Sequence, residues 1–321
     1  MSEFVNETYR DAAANAAGRL FPLDRATLLQ RDFIRKFSTH LGHLIGGGQF
    51  EAEGLLVTGQ SGSGKTTEIR SLLQRFNADG VELPNGMPAR FAEVSLKGVE
   101  TWKDFCKSTS DAVGFTIAEK ARLTQGDIWG IVIREAKING FIGIHFDEVQ
   151  HIFRKKSEVD RLAVLDSFKS WMKSHKWPLM LIFSGVPELN VYMREEPQLY
   201  RLLDRLPFED ISLPEDYQTI HEIVGSYAIS AGLEVDPDLM TQDFLDRLVC
   251  AGAYRWGLVL KLTSFACTIA QDASSTSLTR DHFVKWWVNK TKAAKIATPF
   301  LHSGYETMYR RDHPFIEAIA D

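Results

Sequence analysis

The chain has 321 residues, 44% hydrophobic and 25% charged, with a formal net charge of −5. That composition suits a soluble, well-packed protein of one large domain or two smaller ones, and it excludes any global attraction to nucleic acid or acidic membranes. No apolar run approaches the length of a bilayer span, and Met1 to Arg10 lacks the basic-then-apolar pattern of a secretion signal, so a cytoplasmic location and no membrane partner are expected. Cys106, Cys250 and Cys267 lie far apart without metal-ligand spacing, which argues for buried reduced thiols and against a disulfide framework or zinc site.

In chain order, the first strong signal is an apolar stretch, Gly54 to Thr58, leading into Gly59, Gln60, Ser61, Gly62, Ser63, Gly64, Lys65 and Thr66. This is the complete G-x-x-x-x-G-K-[ST] phosphate-binding loop. Ile69, Leu72, Leu73 and Phe76 then follow at the spacing of an amphipathic helix, giving strand, glycine loop and helix in the required order. The glycines let backbone N–H groups point at phosphate oxygens, Lys65 supplies charge to the outer phosphates, and the Thr66 hydroxyl suits Mg²⁺. Residues 59–67, including Thr67, form the expected ATP-binding set.

Arg90 to Leu96 reads as a second strand, and Phe141 to Phe146 as a buried parallel strand ending in Asp147 and Glu148. Asp147 is expected to hold the Mg²⁺ hydration shell and Glu148 to polarise an attacking water, which implies hydrolysis as well as binding. His145, inside this run, reads as a core-facing histidine. Leu179 to Phe183 is a further strand ending at Ser184, which the parallel arrangement would place beside the γ-phosphate, as a water-orienting group or a plain strand-terminating serine. A last strand is predicted over 208–213, preceded by a helical turn carrying Arg201 and Arg205, and residues 215–292 carry helical patterns. Trp286 and Trp287 read as core of that helical region. The likeliest loops are 77–86, 273–277 and the triplet Gly46 to Gly48.

This succession, with an arginine before the last strand and Gly252-Ala-Tyr-Arg255 in the helical region, resembles the AAA+ ATPases. The resemblance implies an α/β fold: an AAA+ P-loop domain with a central parallel sheet flanked by helices, followed by a smaller helical lid. The boundaries read as an N-terminal extension over 1–25, the nucleotide-binding domain over 26–214, the lid over 215–292 and a C-terminal tail over 293–321. It further implies that Arg205 reaches a neighbouring subunit's nucleotide as the arginine finger, with Arg201 a rival that spacing does not separate. Arg255 would contact the phosphates of its own subunit. Leu28 to Phe37 resembles the element that packs near the adenine, with Arg31 and Asp32 in its Arg-Glu place.

Within AAA+, Leu181-Ile-Phe-Ser-Gly-Val-Pro-Glu-Leu189 and Phe146-Asp-Glu-Val-Gln-His151 look like the TniB/TnsC group of transposition ATPases, related to MuB and IstB. That likeness implies a homo-oligomeric ring or helical filament on double-stranded DNA that marks a target site, answers to a target-selection protein and recruits a DDE transposase, with hydrolysis driving disassembly. Lys97, Thr101 and Lys103 occupy the position where it would place DNA contacts, and Arg154 to Lys156 is a second basic cluster. Contacts to phosphates alone would make binding sequence-independent, and repetition around a ring would accumulate affinity despite the acidic net charge. A helicase loader or replication-type ATPase, and a nucleotide-gated signalling or scaffold protein without DNA binding, are the alternatives.

Overall fold

The computed structural model describes residues 5–16, 20–96, 101–118, 120–312 and 314–315. The elements run α1 (Glu7–Ala16), α2 (Asp24–Gly46), β1 (Gly54–Gly59), α3 (Lys65–Asp79), β2 (Arg90–Ser95), α4 (Trp102–Ala112) and α5 (Gln125–Ile138). They continue with β3 (Phe141–Asp147), α6 (Gln150–Phe153), α7 (Glu158–Met172), β4 (Met180–Gly185), α8 (Glu188–Arg194), α9 (Pro197–Arg201) and β5 (Leu203–Phe208). The rest comprises α10 (Tyr217–Ser230), β6 (Glu234–Val235), α11 (Gln242–Ala251), α12 (Trp256–Asp272), β7 (Ser277–Leu278), α13 (Arg280–Thr291) and α14 (Tyr305–Met308). Contacts divide the chain into two compact units. One is Leu23–Ser61 with Lys65–Phe208; the other takes the described parts of Met1–Pro22, Gly62–Gly64 and Glu209–Asp321.

The first unit is built on a five-stranded sheet of order β2-β3-β4-β1-β5, parallel throughout. β1, β3 and β4 are buried along nearly their whole length, which is why their sequences read as continuous apolar runs. On one face, Phe105, Phe146, Phe168, Trp171 and Phe183 make a ring cluster with centroids 4.9 to 6.0 Å apart. On the other, Phe33 and Phe37 of α2 meet Phe76 of α3 and Phe91 of β2. Helix starts are fixed locally: Thr124 and Asp127 form a capping box at α5, and Ser157 caps α7.

Gly143 on β3 shows how tightly the second face is packed. A Cβ there would run into the Phe91 ring and lie 2.6 Å from the Met180 carbonyl oxygen, which is backbone and cannot step aside. Gly143→Ala is therefore expected to destabilise the fold by about 1–3 kcal/mol through overpacking, seen as a lower melting temperature.

His40 of α2 is a second internal constraint. It is 3% exposed, packs edge-on to Phe50 with ring centroids 5.0 Å apart, and neither ring nitrogen has a hydrogen-bond partner among the described residues. Burial, helped by the neighbouring His43, pushes its pKa down from 6.5 to about 4. The unfolded chain then takes up a proton that the folded one refuses, so stability falls as pH drops from about 6.5 towards about 4. The loss is on the order of 3 kcal/mol. Urea unfolding at pH 7.5 and pH 5 should show this decline, and His40→Phe should reduce it.

Two expectations need correcting. The last strand of the five-stranded sheet is Leu203–Phe208, five residues earlier than predicted, and no strand spans 208–213. β5 is an edge strand paired on one side with β1, so it mixes buried positions (Leu203, Leu206, Phe208) with more open ones and tolerates Pro207, whose missing N–H is needed by no neighbour. Arg201 and Arg205 accordingly do not share a helical turn: Arg201 ends α9 and Arg205 lies within β5. The apolar face of α2 (Leu29, Phe33, Phe37) joins the main core, while Arg31 points out with its side chain 66% exposed and pairs with the adjacent Asp32.

In the second unit, α10 to α13 surround a core containing Phe244, Phe283, Trp287 and Phe300, together with a two-stranded parallel ladder of β6 and β7 that sequence periodicity did not reveal. Trp286 and Trp287 are buried here, and Phe315 packs on both. Lys285 of α13 and Lys295 beyond it both pair with Asp281, at 3.0 and 2.8 Å. The described tail is fastened to this unit, since Arg247 donates to the carbonyl oxygens of Pro299 and His302.

Candidate nucleotide site

The phosphate-binding sequence occupies the β1–α3 connection. Gly62 and Gly64 adopt φ of 84° and 102°, values that side-chain-bearing residues rarely take, so these turns need glycine. Lys65 is the first residue of α3 and only 4% exposed; its Nζ donates to the carbonyl oxygens of Gly59 and Gln60 at 2.7 and 3.1 Å. The ammonium is thus curled over the loop it belongs to.

Next to it, Thr66 Oγ1 donates to Asp147 Oδ2 at 2.8 Å, joining the start of α3 to the end of β3. Because β4 lies between β1 and β3, Ser184 stands between the phosphate loop and the acidic strand. It is fully buried, and its hydroxyl donates to Asp147 Oδ1 at 2.5 Å. The Glu148 N–H donates to the same oxygen at 3.0 Å. His145 Nε2 lies 2.8 Å from Ser184 Oγ. Its ring is wholly buried; burial, against the attraction of Asp147, pushes its pKa below the usual histidine value, which favours the neutral ring.

Glu148 takes φ of 57°, a left-handed backbone uncommon for a side-chain-bearing residue. The strain is sustained by its surroundings. Val149 N–H donates to the Ser184 carbonyl oxygen at 3.1 Å, and Gln150 Nε2 donates to Glu148 Oε2 at 2.5 Å. Gln150 is buried, and a Cβ on Gly185 would collide with its Oε1, so the glycine leaves room for the amide that holds the glutamate. Sequence reasoning missed Gln150 as a partner of Glu148. A polar residue two positions after the acidic pair was the available signal.

The residues fit Mg²⁺ with a nucleoside triphosphate. Thr66 and Asp147 are hard oxygen donors already within hydrogen-bond reach of each other. Among the described residues no group of three or more His, Cys, Asp or Glu could hold a metal, so the ion would take most of its ligands from phosphate oxygens and water, as Mg²⁺ does.

Arg205 is exposed on edge strand β5, stacks over Tyr200 at 4.9 Å and makes no ion pair among the described residues, whereas Arg201 pairs with Glu51 at 3.3 Å. In the second unit, Arg255 is buried and its Nη2 donates to the backbone oxygens of Arg311 and Asp312 at 2.8 and 3.4 Å. Lys97 lies outside the described residues. Thr101 caps α4, donating to Asp104 Oδ2 at 2.5 Å and accepting from Asp104 N–H, which commits its hydroxyl and puts a carboxylate beside it. Lys103 is exposed one residue into α4, and Arg154 pairs with Glu188 at 3.3 Å.

Residues 49–193 match the sequence profile of a family described as the AAA domain. The fold is the AAA+ P-loop fold. Among solved structures the chain is similar to the *Aeropyrum pernix* ORC1 protein in complex with DNA, at TM-score 0.58 and 17% identity, over 82% of this chain and 64% of that one. It is also similar to the *Aeropyrum pernix* ORC2 protein in its ADPNP-ADP complexes, at TM-score 0.55 and 16% identity, over 81% of this chain and 66% of that one. For Cdc6p from *Pyrobaculum aerophilum* the TM-score is 0.51 at 11% identity, over 78% and 65%. The chain thus spans less than two thirds of the length of these structures. No curated protein sequence matches it significantly. Among its described residues no helix is long and apolar enough to cross a membrane.

Proposed function

We propose that this AAA+ protein hydrolyses ATP in an oligomer assembled on double-stranded DNA. The observation that carries the reading is the joining of Thr66, Asp147 and Ser184 in one hydrogen-bonded group, with Glu148 beside it. In this reading the loop N–H groups and Lys65 bind the phosphates, exchanging the Lys65 contacts to Gly59 and Gln60 for phosphate oxygens. Mg²⁺, when bound through Thr66 and the water shell held by Asp147, neutralises charge developing on the phosphates. Glu148 orients the attacking water and accepts its proton, and Gln150 fixes the carboxylate from which it does so.

The finger role goes to Arg205. It is exposed, has no carboxylate partner among the described residues and sits on the open edge of the sheet, where a neighbouring subunit could present its nucleotide; Arg201 is engaged by Glu51. Arg205→Ala should leave ATP binding within about twofold while lowering hydrolysis by about 10³-fold in the assembled state. Normal phosphate release by that assembled variant would remove Arg205 from this role.

The finer reading is a transposition regulator of the TniB/TnsC kind, which marks target DNA and recruits a DDE transposase. It is supported by Asp147-Glu-Val-Gln-His151 and by the β4 sequence running into Gly185-Val-Pro-Glu-Leu189. Lys103 is the remaining candidate for phosphate contact beside the capped Thr101. A DNA-associated role also agrees with the ORC1 structure, which is a complex with DNA. Steady-state phosphate release with Mg²⁺, with chelator and with added duplex tests the reading: stimulation by DNA supports it, and metal-dependent hydrolysis indifferent to DNA favours a nucleotide-gated switch. Co-precipitation with a transposase or a replicative helicase separates the transposition reading from the helicase-loader one.

A further inference from the structure

We infer that His145 is a positioning residue for the hydrolytic site, acting through Ser184 to fix the Asp147 carboxylate. The inference rests on the proposed Mg²⁺–ATP site and adds a residue to it. Proton counting sets the direction of the chain. Ser184 has one hydroxyl proton, and Asp147 Oδ1, 2.5 Å away, accepts it as a carboxylate. Ser184 Oγ must then receive from His145 Nε2, 2.8 Å away, so the ring carries its proton on Nε2. Nδ1 is left as a bare acceptor, consistent with its having no hydrogen-bond partner among the described residues. The opposite tautomer would bury an unsatisfied N–H and turn the Ser184 proton towards the ring, away from Asp147.

The register makes this arrangement specific. His145 and Asp147 are two apart on β3, hence on one face, and His145 is opposite Ile182 of β4, which brings Ser184 between them on the same side. The same face carries Glu93 of β2 opposite His145, paired with Arg70 of α3 at 3.1 Å, so the groups around the ring are Asp147 and this neutralised pair. A strand position that packing alone would fill with an aliphatic side chain instead carries a hydrogen-bond donor aimed at Ser184. Ser184 is thereby committed to Asp147: its proton goes to the carboxylate and its oxygen accepts from the ring.

The test uses the full-length protein in two measurements. In metal-free protein, ¹⁵N-histidine NMR should show His145, assigned by its loss in His145→Gln, as the neutral Nε2–H tautomer, with a resonance that moves in Ser184→Ala. An Nδ1–H tautomer, or a resonance indifferent to Ser184→Ala, overturns the relay whether or not the protein hydrolyses ATP. In the second measurement, His145→Leu should lower kcat or raise the Mg²⁺ concentration for half-maximal hydrolysis by about 10–100-fold. In a Ser184→Ala background the same substitution should change either by about twofold or less, because the two act as one unit. His145→Gln, which places an amide N–H near the Nε2 position, should recover most of the loss. Equal costs of His145→Leu in both backgrounds would make His145 a packing residue and overturn the inference. Absence of Mg²⁺-dependent ATP hydrolysis in the wild type would instead count against the proposed function, leaving the NMR result to judge the relay.

Discussion

Lys65→Ala should weaken binding of a fluorescent ATP analogue by about 100-fold or more, equivalent to roughly 2.7 kcal/mol, with little change in melting temperature. In the proposed site the ammonium is the cation that meets the outer phosphates, and Lys65 is 4% exposed, where a charge-assisted hydrogen bond is worth about 1.5–3 kcal/mol. Two of its contacts in the structure are to backbone oxygens of its own loop. A Lys65→Ala protein that binds the analogue normally would show that this loop is not the nucleotide site.

Glu148→Gln should lower hydrolysis by about 10²–10⁴-fold while ATP binding persists, so that nucleotide-loaded assemblies accumulate. The substitution is nearly isosteric and keeps a side-chain oxygen able to accept from Gln150 Nε2. The backbone at φ 57° is held by the Val149 and Glu148 N–H bonds, which the change does not touch. What is lost is the capacity to take a proton from water. Single-turnover phosphate release, with bound nucleotide counted in parallel, checks both halves; unimpaired release would assign the base elsewhere.

Much of the sheet was legible because buried parallel strands announce themselves as apolar runs. β1, β3 and β4 lie within a residue or two of where the sequence placed them. β5 was not legible: its Asp204 and Arg205 break the apolar run, while the apolar residues after Phe208 imitate a strand. Only pairing with β1 along one edge reveals which segment joins the sheet. Similarly, Gly59 to Thr66 and the Asp147-Glu148 pair could be found by motif, but their neighbours could not. His145 looks like core in the sequence, and its contact to Ser184 depends on the β3–β4 register, where a slip of one residue would turn Ser184 to the other face. Thr101 reads as a phosphate contact until α4 is seen to begin at the next residue and use its hydroxyl as a cap.

Electron microscopy of the purified full-length protein with duplex DNA, with and without a slowly hydrolysed ATP analogue, tests the proposed assembly most directly. Rings or filaments on the duplex that form only with the analogue are the predicted result. Particles that ignore the duplex at low salt, with or without nucleotide, would contradict it.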